Sequence, residues 1–303
     1  MKFIAIGPLL IFIAAILWGF DGILRRSLYS LPPITIVFFE HVIGLIILLP
    51  FIIKLWSREH LTKKEWGMIT LVAALSGVAG TLFFTTALLQ INFIPFSVVF
   101  FVQKLQPIFA VIAAVLLLKE RISRDFILWA AIALVAGYFV TFPNGVVNFG
   151  EGGGYVTAAL FALLAAVAWG SSTAFSRYTL MGHSNTFITG LRFLFTVPIA
   201  LVVAFGLGAV PSFAAITLSQ MGILLLIAVS TGMLALWIYY KGLKTTPASV
   251  STIVELAFPM TAVFIDFFLY DTVLTWGQYA AAAILMFAAY KVASRATQGA
   301  IEE

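Results

Sequence analysis

The chain contains no cysteine among its 303 residues, and few of its side chains carry a charge. Without cysteine it can form no disulfide, no thiolate metal site and no cysteine nucleophile. Charged residues make up 10% of the chain, against about 25% in soluble globular domains. Apolar residues make up 62%, against about 45–50% in such domains, and this excess predicts an integral membrane protein.

Other signatures are missing as well. The net charge of +5 does not indicate a nucleic-acid partner, because Lys and Arg lie in short clusters at the ends of apolar segments. A Walker lysine motif is absent, and no nucleophile stands at a suitable spacing from a base. His60 and His183 are too scattered to form a metal site. We therefore predict no enzyme activity, no catalytic residues, no metal and no cofactor.

Long apolar runs predict an all-α protein with ten transmembrane helices. A run of about 20 residues is long enough to cross about 30 Å of hydrocarbon. The predicted helices span 3–24, 34–53, 66–89, 96–118, 125–142, 155–176, 186–206, 216–240, 247–270 and 274–293. The runs are longer than barrel strands and do not alternate, so no β-barrel is expected.

The second half of the sequence repeats the first. Two blocks recur, at offsets of 151 and 152 residues. They are Trp18-Gly19 with Arg26 and Trp169-Gly170 with Arg177, and Pro95-x-Ser97 with Pro107 and Pro247-x-Ser249 with Pro259. Five spans in each copy force the second copy to enter the membrane from the opposite side. We predict one membrane domain of two inverted repeats, residues 1–147 and 148–303, as in secondary transporters with alternating access.

Basic residues predict the orientation. If the N-terminus is cytoplasmic, thirteen Lys and Arg residues lie on the inner side, and only Arg25 and Arg26 lie in outer loops. Positive residues are enriched in cytoplasmic loops. We therefore expect a multi-pass protein of the plasma membrane with both termini in the cytoplasm.

Polar and aromatic residues within the spans are the candidates for a substrate cavity, because a charge inside the bilayer needs a partner or a pathway. The predicted cavity residues are Trp18, Asp21, Glu40, His41, Gln103, Lys104, Trp169, Arg192, Trp237, Tyr240 and Glu255.

Depth along the helices predicts two buried ion pairs, Glu40 with Lys104 and Arg192 with Glu255, related by the repeat. Such pairs could act as a gate or a proton site, with Glu255 or Glu40 as the proton carrier. They could equally be static pairs that only lock helices together.

Several of these residues have a plain structural alternative. Asp21 can pair with Arg25 four residues on, and His41 can be a neutral, hydrogen-bonded histidine. Trp18 and Trp169, each followed by glycine, can pack between helices instead of lining a cavity.

The end of the eighth span holds further aromatic candidates. Trp237 and Tyr240 lie near its cytoplasmic end, where Trp and Tyr often anchor a helix at the membrane interface. In the fourth and ninth spans, Pro107 and Pro259 remove an amide donor, so we expect each helix to bend near Gln103 and Glu255 and to expose backbone to a polar cavity.

Taken together, the motifs resemble the EamA family of the drug/metabolite transporter superfamily, over nearly the whole chain. The resemblance rests on the order, spacing and duplication of short strings. They are Trp18-Gly19, Leu31-Pro32-Pro33, Pro95-x-Ser97, Gln106-Pro107 and Leu118-Lys119-Glu120-Arg121-Ile122-Ser123, then Trp169-Gly170, Leu191-Arg192-Phe193, Tyr239-Tyr240-Lys241-Gly242-Leu243, Pro247-x-Ser249 and Pro259.

The resemblance implies a central cavity lined by both halves, and transport of amino acids, other small metabolites, nucleotide-linked sugars or cationic compounds. The family often has Arg early in the second helix of a repeat; Arg192 keeps it and Glu40 replaces it. It often has Glu before the proline of the fourth helix, where this chain has Gln106 and Phe258. The substrate therefore does not follow from the family pattern.

We expect a secondary active transporter of a small polar metabolite. Export of an amino acid or a related compound is the first expectation, because most microbial relatives are taken to be exporters, and a proton gradient is the simplest energy source. A transporter of quaternary-ammonium or other organic cations is one alternative, since Trp and Tyr faces with a carboxylate can hold such groups. A membrane scaffold or lipid-handling protein is another. The oligomeric state stays open.

Overall fold

The computed structural model describes residues 6–90, 102–142, 145–146, 154–258, 261 and 275–299. Every regular element within these residues is a helix. Expectations that concern Pro95, Ser97, Pro259 and most of the connection between the halves lie outside the described residues.

The helices of the first half are α1 (Ile6–Gly19), α2 (Asp21–Arg26), α3 (Pro33–Trp56), α4 (Lys63–Val72), α5 (Thr81–Gln90), α6 (Gln106–Ala113) and α7 (Arg124–Thr141). Those of the second half are α8 (Gly154–Gly182), α9 (Asn185–Gly206), α10 (Leu218–Ile227), α11 (Met233–Leu243), α12 (Ala248–Val254) and α13 (Trp276–Gly299).

Seven helical stretches within the described residues are long and apolar enough to cross a membrane. They are Ile6–Arg26, Pro33–Trp56, Lys63–Leu89, Arg124–Thr141, Val156–Gly182, Asn185–Gly206 and Leu218–Leu243. Two shorter apolar helices coincide with the predicted fourth and ninth spans, and α13 coincides with the tenth. The chain is a multi-pass membrane protein, and the count of ten stays a prediction because the fourth and ninth spans extend past the described residues.

Helices of the two halves pack on one another in a symmetrical pattern. Helix α3 packs on α9, α6 on α12 and α7 on α13, which joins the second, fourth and fifth spans of one half to their equivalents. The first span, α1, packs on α11, while α8 packs on α5 and the segment before it, so first and third spans are exchanged between the halves. This pattern agrees with the two predicted repeats.

The third span of each half contains π-helical turns at the same place. These turns run over Ala73–Gly80 between α4 and α5, and over Ala228–Gly232 between α10 and α11. Both end at a glycine, and Gly80 and Gly232 lie 152 residues apart, which is the offset of the second repeat block. Such turns often occur at functional sites.

The α-helical geometry is interrupted in both places where proline was expected to bend a span. Lys104 and Leu105 form a turn, and α6 begins after them with Pro107 in its first turn. In the second half α12 ends at Val254, and a 3-10 turn follows over Glu255–Ala257. Gln103 and Glu255 therefore lie at breaks in their helices.

Candidate functional site

A cavity of about 150 Å³, lined by both polar and aromatic side chains, lies between the two halves. Helices of both repeats contribute to its wall. Ten of the eleven predicted residues border it, namely Trp18, Asp21, Glu40, His41, Gln103, Lys104, Trp169, Arg192, Tyr240 and Glu255.

Trp237 does not border this cavity. Its Nε1 donates to Thr186 Oγ1 at 2.9 Å, and Lys241 Nζ lies 5.4 Å from the centre of its ring. Tyr239 and Tyr240, further along the same helix, do line the cavity. Trp237 is the predicted cavity residue that this cavity does not include, and its contacts with Thr186 and Lys241 fit the alternative of an anchor near the expected cytoplasmic end of the helix.

The π-helical turns shape the cavity wall. The widened turn at Ala73–Gly80 leaves the carbonyl oxygen of Ser76 available, and it accepts hydrogen bonds from Trp169 Nε1 at 3.1 Å and from Thr81 Oγ1 at 3.0 Å. Gly80 gives the indole its room, because a Cβ there would lie 2.6 Å from Trp169. This turn and its glycine thereby fix the position of one cavity tryptophan.

The glycine after each repeated tryptophan lies against a neighbouring helix. A Cβ at Gly170 would lie 2.6 Å from the carbonyl oxygen of Gln106 and 2.9 Å from Phe109 Cβ. A Cβ at Gly19 would lie 2.3 Å from Thr261 Cβ. Both proposed roles of the Trp-Gly pair therefore occur together, since the glycine permits close packing and the tryptophan faces the cavity.

A buried cluster of charges occupies one part of the wall. Arg25 Nη2 donates to Glu40 Oε2 at 2.7 Å, Arg25 Nε donates to Asp21, and Arg25 Nη1 donates to Thr85 at 3.3 Å. Asp21 Oδ1 accepts from Thr231 Oγ1 at 2.6 Å. The cluster joins α2, α3, α5 and the second π-helical segment.

Arg25 is a residue that the sequence reasoning placed wrongly. The orientation count assigned it to an outer loop, yet it is 3% exposed and lines the cavity. The sequence did hold a signal for its position. Arg25 lies four residues after Asp21, a spacing that pairs two side chains on one helix. The local pair with Asp21 is observed.

The predicted pair of Glu40 and Lys104 is absent from the structure. Glu40 is bonded to Arg25 instead, and Lys104 Nζ donates to Thr141 Oγ1 on α7 at 2.6 Å. An estimate of depth in the membrane gives no direction around the helix axis, and that direction decides which charges can meet. Arg25, four residues from Asp21, is the closer cation.

Arg192 and Glu255 are not paired with each other either. Arg192 Nη1 donates to the hydroxyl of Tyr240 at 3.2 Å, and its Nε has no hydrogen-bond partner among the described residues. Glu255 accepts from two neutral donors, Tyr239 Oη at 2.6 Å and Gln106 Nε2 at 3.0 Å. Both side chains border the cavity.

His41 makes the local contact that its structural alternative predicts. Its Nδ1 donates to the carbonyl oxygen of Val37 at 2.8 Å, and its ring lies 4.9 Å from that of Phe193. Because the ring is 2% exposed and bonded to its own helix, it is held in one orientation at the edge of the cavity.

Aromatic rings form two groups in the wall. Trp18 lies against Tyr239, with ring centres 5.1 Å apart and planes at 55°, and Tyr239 neighbours Tyr240 at 6.1 Å. In the second group Trp169 lies 5.2 Å from Phe84, with planes at 53°. The tilted arrangement leaves part of each indole surface turned toward the cavity.

A carboxylate cap fastens three helices together at one end of the bundle. Glu120, which follows α6, accepts from Arg177 Nη1 at 3.0 Å and from the backbone amides of Ala248 and Ser249 at 2.7 and 3.1 Å. Its Oε2 also accepts from the Ser249 hydroxyl at 2.5 Å. This cap ties together the ends of α6, α8 and α12, three helices that line the cavity, on the face expected to be cytoplasmic.

A second polar cluster lies on that same face. His183 is bonded to Glu59 at 2.7 Å through Nδ1 and to Glu65 at 3.2 Å through Nε2. Glu59 also accepts from the amide of Ser184 at 3.0 Å, and Lys244 Nζ donates to the carbonyl oxygen of His183 at 2.7 Å. The loops after α3, α8 and α11 are therefore fastened to one another.

Comparison with known proteins agrees with this architecture. The sequence profile of the EamA-like transporter family matches residues 5–142 and again residues 156–294. The chain is 36% identical over 289 residues to a riboflavin transporter, ImpX, of Fusobacterium nucleatum subsp. nucleatum, a match that covers 94% of this chain and 97% of that protein.

Two further matches are more distant. The chain is 26% identical over 262 residues to an uncharacterized transporter of Clostridium kluyveri, covering 84% of this chain and 83% of that protein. A solved crystal structure aligns with a TM-score of 0.73 at 17% sequence identity, over 96% of this chain and 98% of its own, and this shows a shared fold. With two profile matches over most of its length, the chain belongs to the EamA-like transporter family of the drug/metabolite transporter superfamily, and it is a transporter rather than an enzyme.

Proposed function

We propose that this chain moves an uncharged, planar, nitrogen-containing aromatic metabolite of the riboflavin class across the plasma membrane by alternating access. The observation that carries the proposal is the combination, in one cavity, of two tryptophans from equivalent places in the repeats with a set of neutral hydrogen-bonding groups. The 36% identity to a riboflavin transporter over nearly the whole chain supports it independently.

The aromatic groups suit a flat ring system. Trp18 with Tyr239, and Trp169 with Phe84, offer ring faces to which a planar heterocycle can pack by offset stacking or by edge-to-face contact. Ligand sites of this kind are mostly apolar, with a few placed polar groups that fix the orientation of the ligand.

The polar groups suit an imide-like edge, which carries one N–H between two carbonyl groups. The carboxamide of Gln103 borders the cavity and can accept from an N–H, while the guanidinium group of Arg192, which also borders it, can donate to a carbonyl oxygen. Hydroxyl groups of Ser172, Thr173 and Ser176 also border the cavity and can bind a polyhydroxylated side chain.

An amino acid or an organic cation fits these features less well. A cation would need a carboxylate, but Arg25 already binds both Asp21 and Glu40, and Glu255 is already bonded to Tyr239 and Gln106. A zwitterion would find Arg192 for its carboxylate and Glu255 for its ammonium group, but it would leave the two aromatic groups without a partner. Amino-acid transport therefore remains the second candidate, and Arg192 is the residue that favours it.

Alternating access follows from where the bundle is fastened. The Glu120 cap and the His183 cluster close the face that carries most basic residues, so substrate exchange on that side requires their release. Helices of one half pack on their equivalents in the other. In transporters built from inverted repeats, one half rotates against the other along such a surface and opens the site to each side in turn. We place this closed face in the cytoplasm.

A riboflavin titration of the purified protein tests the proposal, because riboflavin is fluorescent and stacking on an indole quenches it. We expect saturable quenching, and we expect Trp18→Leu and Trp169→Leu each to weaken binding about three- to tenfold, in line with the energy of an aromatic pair. Trp276→Leu is the matched control, because Trp276 is 89% exposed and does not border the cavity. Unsaturable quenching, or equal losses in all three variants, would exclude the proposal.

A further inference from the structure

Four side chains are joined by a continuous series of hydrogen bonds, here called the hydrogen-bond relay, at the breaks in the fourth and ninth spans. Tyr239 Oη donates to Glu255 Oε1 at 2.6 Å, and Gln106 Nε2 donates to Glu255 Oε2 at 3.0 Å. Gln103 Nε2 then donates to Gln106 Oε1 at 2.8 Å. The hydrogen-bond relay runs from the carboxylate of Glu255, which is partly exposed in the cavity, to the carboxamide of Gln103, which borders the cavity.

The carboxylate of Glu255 decides which group donates and which accepts in each hydrogen bond of the relay. An ionised carboxylate can only accept, so Gln106 must turn its amide nitrogen toward Glu255 and its oxygen toward Gln103. Gln103 must then turn its nitrogen toward Gln106. The group left for the cavity is Gln103 Oε1, a hydrogen-bond acceptor with no donor among the described residues.

We propose that Glu255 binds the coupling proton and that its protonation reverses the donor and acceptor roles along the hydrogen-bond relay. Gln103 then changes from an acceptor to a donor toward the substrate. A proton from cavity water adds to Glu255 Oε2, which then donates to the oxygen of Gln106 after that carboxamide turns over. Gln106 in turn donates to the oxygen of Gln103, whose nitrogen now faces the cavity. Tyr239 keeps its bond to Oε1 throughout.

Other charged and titratable groups around the cavity have partners of their own. Arg25 binds Asp21 and Glu40, Lys104 binds Thr141, and Arg192 binds Tyr240. His41 binds the carbonyl oxygen of Val37. Glu255 therefore differs from Glu40, the other carboxyl considered as a carrier, because it is bound by a phenol and an amide, whereas Glu40 is bound by a guanidinium group.

The switch deepens the proposed function and rests on it for the identity of the substrate. An imide N–H binds an acceptor, so the ionised form of Glu255 favours substrate and the protonated form disfavours it. Proton and substrate then compete for the carrier. Competition makes the protein a proton/substrate antiporter, in which an inward proton gradient drives export.

Infrared difference spectroscopy between acid and alkaline pH tests the switch on the protein without ligand. We expect a carboxylic-acid C=O band that titrates and is lost in Glu255→Gln, accompanied by changes in side-chain amide bands. Those amide changes should be lost in Gln103→Leu and Gln106→Leu, while the carboxylic-acid band persists in Gln103→Leu. No titrating band that depends on Glu255, or amide changes unaffected by both leucine variants, would overturn the proposal.

The pH dependence of riboflavin binding provides the second arm. One proton displaced per substrate raises Kd by up to about tenfold per pH unit as pH falls below the titration of Glu255. Glu255→Gln and Gln103→Leu should each bind riboflavin with a Kd independent of pH. A wild-type Kd that is independent of pH, or that falls on acidification, contradicts the switch and leaves riboflavin transport standing. Complete lack of riboflavin binding contradicts the substrate class instead, and the infrared arm then decides the switch alone.

Discussion

Glu120 Oε2 accepts two hydrogen bonds from the single residue Ser249, one from its amide at 3.1 Å and one from its hydroxyl at 2.5 Å. Because Ser249 lies in the first turn of α12 and Glu120 comes after α6, this contact fixes the end of one break-containing span to the start of its repeat equivalent. Arg177, on α8, completes the fastening through its bond to Glu120 Oε1 at 3.0 Å.

Neutralising this cap should open the cavity toward the capped face. Glu120→Gln removes the ion pair with Arg177 and weakens several charge-assisted hydrogen bonds, each of which contributes about 1.5–3 kcal/mol. We expect the rate at which an impermeant maleimide labels Thr252→Cys from that face to rise by at least about tenfold. The chain has no cysteine of its own, so the introduced thiol is the only target.

Arg121→Gln serves as the matched control, because Arg121 is the exposed neighbour of Glu120 and the substitution also changes the charge by one. Its labelling rate should equal that of the parent. Equal labelling in the Glu120→Gln and Arg121→Gln proteins would show that the cap does not restrict access.

Removal of Arg25 should destabilise the fold strongly. Arg25→Gln leaves Asp21 and Glu40 buried without their cation, and breaking a buried ion pair costs about 3–5 kcal/mol. Thermal unfolding in detergent should show a large loss of stability, and the double variant Arg25→Gln/Glu40→Gln should recover part of it. Lys54→Gln, an exposed change of the same kind, should unfold with the parent. An Arg25→Gln protein as stable as the parent would refute the role of the cluster.

Close packing at the second Trp-Gly pair predicts a steric effect. Gly170→Ala places a Cβ 2.6 Å from the backbone oxygen of Gln106, which cannot turn away as a side chain could. We expect a loss of about 1–3 kcal/mol, the usual cost of overpacking. Gly222→Ala meets no atom within 4 Å and should be neutral or slightly stabilising. Similar unfolding temperatures for the two alanine variants would contradict this packing.

Orientation is open to a direct test with single cysteines at Asn148 and Thr297. The excess of basic residues on one side predicts that Asn148→Cys is labelled only from outside the cell and Thr297→Cys only from inside. Labelling of both from one face would contradict the odd number of spans in each repeat, and with it the inversion.

Much of the architecture could be predicted from the sequence, because the membrane restricts what a chain can do. Apolar runs give the helices, and the recurrence of Trp18-Gly19 as Trp169-Gly170 gives the two halves. Polar residues such as Gln103 and Glu255 must avoid lipid, so their position beside a cavity follows from solvation alone.

The pairing of these side chains could not be predicted in the same way. Depth is a one-dimensional measure, whereas contact depends also on direction around the helix axis and on where each helix is broken. Lys104 lies in a turn before Pro107 and reaches Thr141, and Arg25 extends from a helix assumed to have ended. The π-helical turn that presents the carbonyl of Ser76 has no local sequence signal of its own.

Counterflow in proteoliposomes tests the proposed transport most directly. Vesicles that contain the protein and unlabelled riboflavin should accumulate labelled riboflavin transiently above its outside concentration, and vesicles without protein should not. An excess of amino acids or of choline outside should leave this uptake unchanged. Uptake of riboflavin equal to that of protein-free vesicles, or exchange only in the presence of an amino acid, would contradict transport of a riboflavin-class substrate.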